Sequence, residues 1–137
     1  MKLRKITALL LALCMMLSLS ISAFAADAPV AGGTIQSSGI RWSLDTRGWL
    51  TISGTGTAPV FQSADDQPWA AYREQIVEVW YDDMTTLTIP DLAYWFEGCV
   101  NLTTAELPLT PLIGKHAFYG CPKLSTLTMY YGETVLS

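Results

Sequence analysis

One pattern occurs twice in the second half of the chain. Phe96-x-Gly98-Cys99-x-x-Leu102 returns as Phe118-x-Gly120-Cys121-x-x-Leu124, every member displaced by 22 residues. From each leucine the spacing continues apolar-x-x-apolar-x-apolar: Leu102, Ala105, Leu107, then Leu124, Leu127, Met129. Ile76, Val79 and Tyr81 keep that spacing 26 residues before Leu102. A fixed period of this length means that each unit makes one coil carrying a short strand. One coil cannot keep its own apolar residues dry, so successive coils must stack. Phe96 and Phe118 are expected at equivalent places, and Gly98 and Gly120 permit the tight backbone that turns each coil back into its strand.

The residues before the repeats follow a different period. Ile40, Trp42 and Leu44 alternate with polar residues, Asp45-Thr46-Arg47-Gly48 reads as a turn, and Leu50 and Ile52 resume the alternation. This is a β-hairpin signal, with Ile40, Trp42, Leu44, Leu50 and Ile52 on its apolar side. A hairpin alone is marginal in water, so that side must pack on later parts of the chain. Ser53 to Pro59 reads as a loop, and Pro68 to Gln75 as a short helical turn with proline near its start.

The first 25 residues contain 18 apolar residues, three basic ones and no acid. Lys2, Arg4 and Lys5 precede an apolar run from Ile6 to Ile21, and Ala23-Phe24-Ala25 supplies a small-x-small cleavage pattern. That is the layout of an export signal cut after Ala25. The apolar run is shorter than the roughly 20 residues that span a bilayer, so no membrane span is expected in the mature chain. Beyond Ala25 remain five basic residues against 12 acids. Nucleic acid is excluded as an expected partner, because phosphate binding needs a basic footprint.

The run Ile113-Gly114-Lys115-His116-Ala117-Phe118-Tyr119-Gly120-Cys121-Pro122-Lys123-Leu124 resembles the repeat of BspA-like leucine-rich-repeat surface proteins. Gly48 to Gly56, with Pro68-Trp69, Tyr72-Arg73, Ile76 and Val79, resembles the module that precedes such repeats. The expected fold is mainly β: an N-terminal β-hairpin cap followed by a short leucine-rich-repeat solenoid with one short parallel strand per repeat. The expected divisions are an export signal over 1–25, a flexible leader over 26–38, a hairpin or cap module over 39–75, and a solenoid of about three strands over 76–137. The resemblance implies an exported, surface-associated bacterial protein that mediates protein, host or matrix contacts, with no catalytic residues and no cofactor. Two departures stand out. Ile89 to Cys99 is 10 residues against 14 from Leu107 to Cys121, and the array stops after about three strands.

Few residues suit chemistry. Cys99 and Cys121 on stacked coils have parallel rather than converging Cβ vectors, which disfavours a disulfide. They read as buried free thiols. No His or Cys spacing fits a metal. His116 reads as a solvated turn residue, and Asp65-Asp66 and Asp82-Asp83 as solvated charge, since adjacent residues on an extended chain face opposite ways.

The outward strand positions define the candidate partner-binding face. They form three columns: Glu78, Thr104, Thr126; Trp80, Glu106, Thr128; and Asp82, Pro108, Tyr130. Three strands 4.8 Å apart offer only about 200 Å² of such surface, well under the roughly 800 Å² per partner of a standard interface. A glycan is the alternative ligand, with Trp80, Trp49 and Tyr130 as stacking platforms. An uncovered apolar edge at Leu124, Leu127 and Met129 is expected to self-associate.

Overall fold

A computed structural model describes residues 29–109 and 112–130. The predicted export signal over 1–25 lies outside these residues.

The hairpin forms as the alternation predicts. β2 (Gly39–Asp45) and β3 (Trp49–Thr57) pair antiparallel, with Leu44 opposite Leu50 and Trp42 opposite Ile52. Ile40, Leu44, Leu50 and Ile52 are fully buried, and Trp42 nearly so. Asp45 closes the turn. Its Oδ1 accepts the backbone N–H of Arg47 at 2.9 Å and of Trp49 at 3.0 Å. Gly48 takes φ +84° there, and a Cβ at that position would sit 2.4 Å from the Gln75 carbonyl oxygen.

Two expectations about this region are corrected. The stretch read as a flexible leader contains β1 (Pro29–Thr34), paired antiparallel with β2, and Ile35 just after it is fully buried. The stretch from Ser53 read as a loop continues β3 as far as Thr57. Gly54 lets that continuation approach β2 closely, since a Cβ there would lie 2.3 Å from the Gly39 carbonyl oxygen. Its far end pairs in parallel with β5 (Leu87–Thr88).

The repeats supply β4 (Glu78–Tyr81), β6 (Thr104–Leu107) and β7 (Thr126–Met129), which run parallel. Val79, Ala105 and Leu127 are in register, as the 26- and 22-residue offsets require. The ladder also extends backwards: β3 pairs in parallel with β4, placing Trp49 beside Glu78 and Thr51 beside Trp80. The sheet order is β1-β2-β3-β4-β6-β7, with β5 attached to β3. Hydrogen bonding therefore crosses the expected boundary between residues 75 and 76. The cap supplies a strand to the parallel ladder.

The opposite wall of the coils is in register too. The N–H groups of Tyr94, Phe96 and Gly98 donate to the carbonyls of Lys115, Ala117 and Tyr119 at 2.9–3.0 Å. Tyr94 and His116, 22 residues apart, both take positive φ, as do Gly98 and Gly120. Between the walls runs an aromatic stack, one ring per unit: Trp69 on Phe96 at 6.1 Å and Phe96 on Phe118 at 5.5 Å between centroids. Trp69, at the start of the 3₁₀ helix over Ala70–Gln75, also contacts Trp42, Phe61 and Trp95. Its indole N–H donates to the Trp95 carbonyl at 2.9 Å, which meets the usual requirement that a buried indole find an acceptor.

Candidate functional site

Alternation along each strand sends one set of side chains inward and the next outward. In β4, Val79 and Tyr81 are buried while Glu78 and Trp80 are half-buried on the outer side. The registers then assemble two rows across the sheet. One runs Trp49, Glu78, Thr104, Thr126. The other runs Ser43, Thr51, Trp80, with Glu106 and Thr128 in register beyond. The first two predicted columns are therefore brought together, and each gains a member from β3 that the spacing of the repeats did not place on the face.

The third column is not brought together. Pro108 is buried, and Tyr130 is packed against the core. The strands end at Leu107 and Met129, so alternation no longer governs the residues beyond. Of the three only Asp82 stays exposed, its N–H donating to the Ile52 carbonyl at 2.9 Å.

Trp49 and Trp80 stand 6.2 Å apart between ring centroids, tilted by 51°. The Arg47 guanidinium lies 3.8 Å over the Trp49 ring. It also donates through Nε and Nη2 to Asp45 Oδ2 at 2.9 and 2.7 Å. Partial burial works against the charged form of Asp45. The N–H groups of Trp49 and Arg47 and the guanidinium outweigh it, and hold the carboxyl below its ordinary value. The Trp80 indole N–H donates to Glu78 Oε2 at 2.9 Å. Glu106 Oε2 accepts the backbone N–H of Tyr81 at 2.9 Å, so a side chain takes over where the β4–β6 ladder ends. Burial, with the Glu106 charge beside it, raises the pKa of the Tyr81 phenol.

His116 is less solvated than expected. It stacks on Tyr119 at 4.6 Å, meets Tyr94 edge-on at 5.4 Å, and places Nδ1 3.3 Å from Glu97 Oε1. Its φ of +57° turns the chain, so its place is set by coil geometry. Asp65 projects into solvent. Asp66 and Asp83 accept nearby backbone N–H groups from Gln62 and Thr85. Cys99 is a buried free thiol, as expected. Burial, helped by the adjacent Cys121, pushes its pKa up to about 12. Cys121 is free but only half-buried, its thiol directed at the Phe96 carbonyl at 3.1 Å. Burial raises its pKa as well, against a backbone hydrogen bond from Cys99. Among the described residues no three His, Cys, Asp or Glu side chains are grouped to hold a metal ion, and no helix is long and apolar enough to cross a membrane.

Sequence reasoning missed one buried polar group that fixes the site from behind. Gln67 accepts from Arg73 Nε at 2.7 Å and donates to the carbonyls of Tyr94 and Glu97. Arg73 Nη2 donates to the Ala64 carbonyl at 2.6 Å. This pair clamps the cap loop to the first repeat turn.

With strands stacked in parallel at the repeat interval, comparison with solved structures decides the architecture. The chain is similar to a leucine-rich repeat protein from Eubacterium ventriosum, at 29% identity and a TM-score of 0.57. The fold is a short leucine-rich-repeat solenoid. The similarity covers 72% of this chain and 26% of the crystallised one, so this solenoid matches about a quarter of its neighbour. No protein-family model and no curated protein matches the chain.

Proposed function

We propose that this solenoid is an exported, surface-associated, non-enzymatic interaction protein of the BspA-like kind, which holds a host or matrix protein across the outward face of its sheet. The observation that carries this is the registered pair of rows. Trp49, Glu78, Thr104 and Thr126 lie beside Thr51, Trp80, Glu106 and Thr128 on a sheet whose other side is filled by core. Aromatics set among small hydroxyls combine large contact area with adaptable hydrogen bonding, a composition suited to recognition. The likeness to a leucine-rich repeat protein supports an interaction role.

The test is binding of the full chain to a panel of immobilised matrix and host surface proteins, with Thr104→Lys on the face and Ser63→Lys on the cap loop. Loss with the first variant and retention with the second is expected; equal binding by both overturns the reading. Sequencing the secreted product from its amino terminus checks export, with Ala26 expected first.

The second reading is a glycan stacked on Trp49 and Trp80, favoured by their 6.2 Å spacing. It has lost Tyr130 to the core, and Arg47 already lies over the Trp49 ring. Saturable, Trp80-dependent retention on immobilised polysaccharide would replace the first reading with this one.

A further inference from the structure

We propose that the face around Trp80 takes an extended basic peptide segment, whose arginine or lysine side chains lie against the Trp80 ring between Glu78 and Glu106. This rests on the proposed interaction role and narrows it to one partner chemistry.

The two rows place aromatic rings and carboxylates on neighbouring, parallel diagonals. Trp49 neighbours Glu78 in one row, and Trp80 lies toward Glu106 in the next. Each tryptophan therefore has a carboxylate beside it, the pairing that favours a cation: the ring face attracts it and the carboxylate accepts its hydrogen bonds. Among the described residues this arrangement is already present, in Arg47 over Trp49 with Asp45 beneath the guanidinium. Trp80 has the same surroundings, but the bonds made to Glu78 and Glu106 come from neutral donors, the Trp80 indole and the Tyr81 amide.

The other charges facing this surface do not change its sign. Arg47 is paired with Asp45. Arg41 lies across the sheet on β2, opposite Ser53, and exposed Asp82 lies beyond Trp80 on the far side of Tyr81. Around Trp80 the carboxylates outnumber the cations.

Size argues for a peptide rather than a folded domain. The four strands that carry the two rows, β3, β4, β6 and β7, present about 250 Å² over the roughly four residues they share. That is less than a third of what a standard interface takes from each partner. Spacing argues for alternate basic residues. Glu106 lies one strand across and two residues along from Glu78, about 8 Å away on sheet geometry. Every second residue of an extended chain is separated by about 7 Å, so neighbouring outward side chains of the peptide can reach both carboxylates.

The probe is a fluorescent nine-residue peptide alternating threonine and arginine, compared with counterparts carrying glutamine or glutamate in place of arginine. Binding to the full chain is followed by anisotropy and tryptophan emission at low and high salt. The arginine peptide is expected to bind, and to weaken on raising ionic strength from about 0.05 to about 0.5 M. Glu78→Gln and Glu106→Gln keep an oxygen to accept the Trp80 and Tyr81 N–H groups while removing the charge. Each should weaken binding about threefold, and Trp80→Ala about fivefold. Matching melting temperatures for parent and glutamine variants separate lost binding from lost fold.

Equal binding of the glutamine peptide, or binding indifferent to both glutamine variants, overturns the proposal. So does a partner of this face that is a glycan or an acidic or neutral protein. If such a protein still depends on Thr104, the interaction role stands while the basic-peptide proposal fails. If no macromolecule depends on the face, both fail.

Discussion

Val79, Ala105 and Leu127 stand in one column of the sheet, at the same place in three successive coils. The first two are fully buried and Leu127 is 52% exposed. Leu107 and Met129 differ in the same way, the former packed against the core and the latter half exposed. Identical spacing thus gives opposite burial. An inward-pointing residue in a solenoid is dry only when a coil lies on its far side, and among the described residues none lies beyond β7. Around β3 and β4, by contrast, coils press from both sides, and Trp42, Trp69 and Trp95 fill the interior.

The sharpest test of this contrast is truncation of the central ring. Trp69→Ala should cost about 3–5 kcal/mol, measured by denaturant unfolding, because it removes the contacts to Trp42, Phe61, Trp95 and Phe96 together. A cost near 1 kcal/mol would show that the inner coils are looser than their burial indicates. Gly48→Ala should cost about 2 kcal/mol or more, combining a left-handed backbone penalty with the approach of the new Cβ to the Gln75 carbonyl. The corresponding change at Gly56, which also has positive φ but where a Cβ meets nothing closer than 3.5 Å, should cost less.

The two thiols sharpen the comparison in kinetic terms. With its pKa at about 12, Cys99 holds almost no thiolate near neutral pH and is buried. Peptide mapping after iodoacetamide should find it unmodified until the chain is denatured, with Cys121 reacting at least about tenfold faster. Equal rates would mean that the two coils open together.

Acid gives a smaller effect. The Asp45 carboxyl lies below its ordinary value of about 3.9, so the folded chain binds that proton less readily than the unfolded one. The stability this supplies is present above the ordinary pKa and disappears as pH falls through the folded one. The melting-temperature difference between the parent and Asp45→Asn should therefore be open at about pH 6 and close below about pH 4. Smallest of all, Leu127→Ala should change stability by less than about 1 kcal/mol. If the last coil self-associates, the same variant lowers the concentration dependence seen in sedimentation.

β2, the first half of β3, β4, β6 and β7, their inward residues and two of the three outward columns were legible because each follows a period, 2 along a strand and 22 or 26 between coils. Other features have no period and escaped. β1 pairs through backbone, with Gly32 and Gly33 opposite Ser43 and Trp42, so its side chains give almost no apolar signal. Pro108 and Tyr130 were misplaced because alternation was carried beyond the last strand residue. Gln67 is a single buried amide whose partners lie 27 and 30 residues ahead, and nothing local marks it. Trp49 was correctly read on the outer side of the hairpin. It joins the outer rows of β4 because β3 runs parallel to β4, a pairing that hairpin logic does not foresee.

The rear wall, where Tyr94, Phe96 and Gly98 bond to Lys115, Ala117 and Tyr119, fixes each coil at a second line besides the sheet. Adding one residue within either line would put that line out of step, whereas one added in the bend between them can bulge outward while both stay in register. Variation in the length of such a protein is therefore constrained: whole windings can be gained or lost, and smaller edits are confined to the bends between the two lines.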